Sequence, residues 1–202
     1  MTKKIAVAVF AALAFAGSVA QADAAGSNGA GLGFDMTGSF YMPADSRFSG
    51  VGSGVNITIK VDDNLTMGYR VEELSVRGEE TVAGVKTTGN NSVMFQGINA
   101  FYRTATFDKV SVDLGLWMGS AVTDVLGSAA VGDAQQSVLL EPQGRIVYAT
   151  TGKVDSRVTV GLGYRFVPGF NATGPNVLSA ASTKELKNFN GLTLSLGVGL
   201  GF

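Results

Sequence analysis

The stretch Leu192-Thr193-Leu194-Ser195-Leu196-Gly197-Val198-Gly199-Leu200-Gly201-Phe202 alternates apolar side chains with small or polar ones without a break. In an extended strand, period-2 alternation sends Leu192, Leu194, Leu196, Val198, Leu200 and Phe202 to one face. Thr193, Ser195, Gly197, Gly199 and Gly201 take the other. A helix would scatter the same leucines around its circumference, so the pattern reads as strand. The pattern recurs upstream. Leu32, Phe34, Met36, Phe40 and Met42 oppose Gly33, Asp35, Thr37, Ser39 and Tyr41. Val55, Ile57, Ile59 and Val61 oppose Gly54, Asn56, Thr58 and Lys60. Val110, Val112, Leu114, Leu116 and Met118 oppose Ser111, Asp113, Gly115, Trp117 and Gly119. Val158, Val160, Leu162, Tyr164 and Phe166 oppose Arg157, Thr159, Gly161, Gly163 and Arg165.

No charge falls on the apolar face of these five strands, whereas Asp35, Lys60, Asp113, Arg157 and Arg165 all fall on the other. Three less regular strands complete a set of eight. Leu65–Val76 carries Arg70 and Glu72 on its polar side, and Met94–Thr106 sets Ile98, Ala100 and Tyr102 against Asn99 and Arg103, with Phe101 on the polar parity. Arg145–Thr151 is short and its faces are unassigned. The connections Asp62-Asp63-Asn64, Phe107-Asp108-Lys109 and Gly152-Lys153-Val154-Asp155 are tight turns. Those at 43–50, 78–92, 120–143 and 168–190 are long, so a meander gathers the short turns at one edge and the long loops at the other. A soluble barrel would hide its apolar face and cover the other with charge. Here the non-apolar face is Gly, Ser and Thr with scattered charges, which suits the narrow, side-chain-filled lumen of an eight-stranded barrel. The expected fold is all-β: an eight-stranded antiparallel up-and-down transmembrane β-barrel with its greasy face toward lipid.

The N-terminus carries a different signal. Lys3 and Lys4 precede an apolar run from Ile5 to Ala16, and Ala20-Gln21-Ala22 supplies an A-x-A cleavage site, the layout of a secretory signal peptide. The run is short of the ~20 apolar residues of a membrane anchor. Residues 1–22 are therefore expected to be a cleaved signal, with cuts after Ala24 or Ala25 as alternatives, and 23–202 a single barrel domain.

Composition narrows the chemistry. Only 15% of the 202 residues are charged and 28 are glycine, and there is neither cysteine nor histidine. No disulfide, thiolate metal site or His-dependent triad is available. The near-neutral charge of −1 gives no support to nucleic-acid binding. Gly29-Ala30-Gly31-Leu32-Gly33 and Gly197–Gly201 repeat every second residue inside strands, unlike a nucleotide loop that turns into a helix. A Ser–Lys pair is the remaining nucleophilic option, and Lys60 is the only lysine on an inward parity. The expectation is no enzyme, no cofactor and no metal.

The closing strand resembles that of Gram-negative outer-membrane proteins, with a terminal Phe202 preceded at every second position by Leu200, Val198, Leu196 and Leu194. The whole chain is similar in length and loop rhythm to the OmpA/OmpX-type eight-stranded barrels. The resemblance implies export to the outer membrane, contact with outer-membrane lipid and lipopolysaccharide, and reading of the C-terminal pattern by the barrel-assembly machinery.

The inward charges form the most informative polar set. Lys60, Arg70, Arg103 and Arg165 face Asp35, Glu72 and Asp113, while Arg157 is assigned to the rim and left aside. Lone charges in a narrow lumen cost several kcal/mol each, so they are expected to pair. The pairs either seal the lumen or line a pore. In the loops, 78–92 is expected to extend a hairpin bearing Glu79, Glu80 and Lys86, and Ser182-Thr183-Lys184-Glu185 reads as a capping box. The Ala- and Val-rich 120–143 is placed to fold inward or to contact a hydrophobic ligand. Three roles follow: a structural or surface-interaction protein working through its long loops, a narrow channel for ions or small solutes, or a conduit for hydrophobic molecules.

Overall fold

A computed structural model describes residues 31–44, 48–82, 84–124, 136–150, 155–168 and 190–201, with side chains left undescribed at 78–82, 85–91 and 123–124. The segment 1–22, the capping box, the turn at 151–154 and Phe202 lie outside the described residues. Eight strands run in chain order: β1 Leu32–Pro43, β2 Phe48–Lys60, β3 Leu65–Val82, β4 Val85–Phe107, β5 Val110–Asp124, β6 Gln136–Thr150, β7 Asp155–Arg165 and β8 Gly191–Gly201. Each pairs antiparallel with its sequence neighbour, and β1 pairs with β8 to close the barrel. Closure removes the free edges that an open sheet would expose.

The inside-out parity is visible strand by strand. Phe34, Met36, Phe40 and Met42 point outward on β1 and are exposed, while Asp35, Ser39 and Tyr41 are buried in the lumen. Leu196 and Val198 on β8 are more than half exposed, as are Leu114 on β5 and Leu162 on β7. Outward aromatics gather at both ends of this belt: Tyr102, Phe107 and Tyr148 near the short turns, and the tilted pair Tyr164 and Phe166, 4.6 Å between ring centroids, near the other edge. Glu73 and Arg77, outward by parity, close the belt on the long-loop side of β3.

Local chemistry fixes the short-turn edge. Asp62 Oδ1 accepts the backbone N–H of Asn64 and of Leu65, each at 2.7 Å, which ties the β2–β3 turn. The Lys60 ammonium binds Asp63 at 2.8 Å and holds that exposed carboxyl below the usual carboxylate range. In the β4–β5 turn Asp108 takes φ of 54°, a left-handed conformation that Asp tolerates. A bulge between Arg103 and Ala105 flips the parity of the last turn of β4. Phe107, which would otherwise share the inward side of Arg103, is thereby turned out and left 68% exposed.

Three strands differ from the sequence reading. Within 120–143, residues 120–124 and 136–143 are strand, with β5 continuing to Asp124 and β6 starting at Gln136; Pro142 disguises the alternation of Leu139, Glu141 and Gln143. β2 begins at Phe48, so the last three residues of the segment assigned to a loop at 43–50 belong to the wall. Pro142 also interrupts the β6–β7 ladder. Leu140 and Phe166 exchange both backbone hydrogen bonds, at 3.0 and 2.7 Å, whereas the Pro142 nitrogen two residues on has no hydrogen to give.

Close strand approach at one point depends on glycine. Gly97 and Gly119 are directly paired, and a Cβ at either would strike backbone of the opposite strand: Met118 O from Gly97, Gln96 O from Gly119. Backbone cannot swing aside as a side-chain tip can. Gly119→Ala is expected to cost about 1–3 kcal/mol in unfolding from lipid vesicles, whereas Gly38→Ala, whose Cβ meets nothing within 4 Å, leaves the midpoint unchanged.

Candidate functional site: the barrel lumen

The lumen divides into two charged layers and an apolar lid. Nearest the short turns, Asp35 accepts from Arg157 through both oxygens, at 2.6 and 2.8 Å, and Arg157 also donates to Thr58 at 2.8 Å. Asn56 and Asn99 continue the network, Asn99 donating to Asn56 at 2.8 Å. Asp113 is shared by Arg145 at 3.0 Å and Arg103 at 3.4 Å. The Arg145 guanidinium lies 3.6 Å over the ring of Phe101, which explains why an aromatic occupies the polar parity of β4.

The central layer is built around Arg165, which is completely buried. Its Nε donates to Glu141 at 2.6 Å and its Nη2 to Glu72 at 3.0 Å. Glu72 also accepts from Arg70 and, at 2.9 Å, from Ser39. Glu141 accepts from Thr193 at 2.7 Å and Gln143 at 2.6 Å. Aromatic faces complete the cage: Arg165 lies 4.1 Å from the Phe95 centroid, and Arg70 lies 4.5 Å from that of Trp117. Every carboxylate is thus matched by a guanidinium, as burial of charge requires. Glu141 and Arg165 also stand opposite one another across the seam that Pro142 weakens, so their ion pair ties β6 to β7 there.

Above this layer, toward the long loops, Tyr41, Phe48, Leu74, Val76, Val93, Phe95, Trp117, Ala121, Leu139 and Val167 form one apolar cluster, none more than 4% exposed. The sequence predicts a lumen sealed by charge pairs and small residues, with Tyr41, Phe101 and Trp117 as its inward aromatics. Parity is right for Leu74 and Val76, but their face turns apolar above Glu72, and the cluster fills the bore.

The structure gathers Arg70, Glu72 and Arg165 into one cluster, Arg103 and Asp113 into a second, and places Asp35 in a third. Lys60 stands apart at the turn, bound to exposed Asp63. Glu141, Arg145 and Arg157 were missed as members. The first fell in the segment taken for a loop, the second headed a strand whose faces were unassigned, and the third was set aside as a rim residue. Their signal was the strict parity of 139–147 and of 157–165. Leu194, Leu196, Val198 and Leu200 face outward and are exposed. Among the described residues no group of three or more His, Cys, Asp or Glu is placed to hold a metal ion.

The architecture has counterparts among solved structures. The outer membrane protein OprG from Pseudomonas aeruginosa aligns over 88% of this chain and 98% of its own, at 11% identity, with a TM-score of 0.57. Neisserial surface protein A (NspA) aligns over 85% of this chain and 94% of its own, at 16% identity, with a TM-score of 0.50. The fold is that of the eight-stranded outer-membrane barrels. At these identities the likeness is one of fold. The sequence matches no protein-family model and no curated protein. In this outer-membrane-type barrel, the two charged layers and the apolar cluster are buried inside the wall.

Proposed function

We propose that the protein is a Gram-negative outer-membrane barrel, exported by a cleaved signal, with a sealed lumen. On this reading it is non-enzymatic and serves as a rigid mount for its long-loop edge, which contacts partners outside the cell. The membrane setting is supported by the exposed apolar belt with aromatics at both ends, the pattern of a lipid-facing band. At ~3.3 Å per residue and a tilt of ~40°, the eleven residues of β8 rise about 28 Å, enough for a band of ~25 Å. Outer-membrane lipid and lipopolysaccharide are then its surroundings, and β8 with Phe202 is the segment offered to the barrel-assembly machinery.

The observation that carries the surface role is the β3–β4 hairpin. Pairing of β2 with β3 ends at Gly78 and that of β5 with β4 at Ser92, yet β3 and β4 stay paired up to Val82 and Val85. A two-stranded extension over 79–91 therefore continues beyond the described ends of β2 and β5, turning at Gly84 with φ of 81°. Such a ribbon is marginal alone, and the barrel beneath it supplies the anchorage. The charge layers and apolar lid among the described residues favour a sealed lumen over a channel, and the conduit reading rests on 120–143, of which 125–135 lie outside the described residues.

The chain has no cysteine, so single cysteines report topology cleanly. In intact cells, Thr87→Cys in the hairpin should react with a membrane-impermeant maleimide, while Lys109→Cys at the short-turn edge should react only after permeabilisation. The reverse pattern, or equal labelling of both, would contradict the placement. Shortening 79–91 to a two-residue turn should leave the barrel folded and remove partner binding.

A further inference from the structure

We propose that the lumen holds a binding site for a small monovalent anion of halide size, on the short-turn side of the apolar lid, with Arg70 and Thr37 as its donors. A cavity of about 30 Å³ lies there, bordered by Arg70, Arg145, Asp35, Thr37, Thr159 and Ser195. That volume holds one small ion or a water molecule.

Two unpartnered donors line this space. The Arg70 side chain is only 7% exposed, and its Nη2 is engaged by Glu72, but its Nε has no protein partner. The Thr37 hydroxyl is likewise buried without a partner. Unmatched buried donors are costly, most of all on a charged group, and an acceptor in the cavity that both residues border would answer them. The charges on the cavity wall favour an anion over a cation. Asp35 is the carboxylate there, and the two bonds from Arg157 and one from Asn56 at 3.4 Å satisfy it. Arg145 is engaged by Asp113, which Arg103 also claims. On the cavity wall itself two guanidiniums, Arg70 and Arg145, stand against one carboxylate, Asp35. A halide answers both the open donors and the excess charge, whereas water answers only the donors. The apolar lid closes the other end, so the ion enters from the short-turn edge.

The test uses the refolded barrel in a non-ionic detergent and follows the chloride NMR linewidth as chloride is added. The expected result is a protein-dependent broadening that saturates and is displaced by bromide. Thr37→Val should weaken binding about tenfold, the effect of losing one hydrogen bond to a charged partner, and Arg70→Gln should abolish it. Thr37→Val keeps the side-chain shape and carries the test alone if Arg70→Gln does not fold. Absence of saturable broadening would mean a water-filled cavity and overturn the proposal. So would saturable broadening that is identical in wild type and Thr37→Val, since the ion would then bind elsewhere.

Discussion

Glu72→Gln is expected to destabilise the folded barrel by about 3–5 kcal/mol, the cost of breaking a buried ion pair by removing one partner. The reason lies in who depends on Glu72. Arg165 keeps Glu141, but Arg70 loses its only carboxylate contact among the described residues and stays buried against Trp117. Urea unfolding from lipid vesicles, followed by the fluorescence of Trp117, the chain's one tryptophan, reads the loss directly. Adding Arg70→Met to Glu72→Gln should recover part of it, because an apolar side chain can lie on the indole without a charge to match. Additive losses in the double variant would show that the two residues do not act as a pair. Lys60→Gln is the contrast: its partner is an exposed turn residue, and exposed pairs contribute ~0–1 kcal/mol.

Leu114→Arg and Leu196→Arg test the other face of the wall. Both side chains point outward, Leu114 from the fifth position of β5 and Leu196 from the middle of β8, and are 56% and 52% exposed. If that face meets lipid, an arginine near the bilayer midplane costs about 2–4 kcal/mol, falling to ~0–1 near the interfaces. Val61→Arg, at the short-turn edge, should therefore be close to neutral in the same vesicles. In a water-exposed barrel all three substitutions would be near neutral, so the gradient between Val61 and Leu196 is the diagnostic quantity.

Much of the wall could be read from alternation, because a β-barrel imposes a single period over every strand. The eight strands, the antiparallel meander and the short-turn edge follow from where parity runs and where Asp, Asn and Gly break it. Failures occurred where another constraint disturbed the pattern. Pro142 and the flanking polar residues disguised β6 as loop, which hid Glu141 from the candidate site. The bulge at Thr104 changed parity within β4, which no period-2 reading anticipates. The lumen was harder still. Parity places Arg70, Glu72 and Arg165 inside, but which charge meets which depends on the shear of the barrel, and shear is a property of closure. Arg157 was set aside for its closeness to the rim, yet the stagger of the strands brings it against Asp35. The apolar lid is hard to see because Leu74, Val76 and Phe95 look like lipid-facing residues until Arg70 and Glu72 fix the parity of β3 and Asn99 that of β4.

The central claim is that charge layers and an apolar lid close the bore. It is tested most directly by refolding the protein into a planar bilayer and recording single-channel current in about 1 M salt, where long-range charge effects are screened. With folding verified by a heat-dependent gel shift, the account predicts a silent bilayer, and stepwise conductance would contradict it.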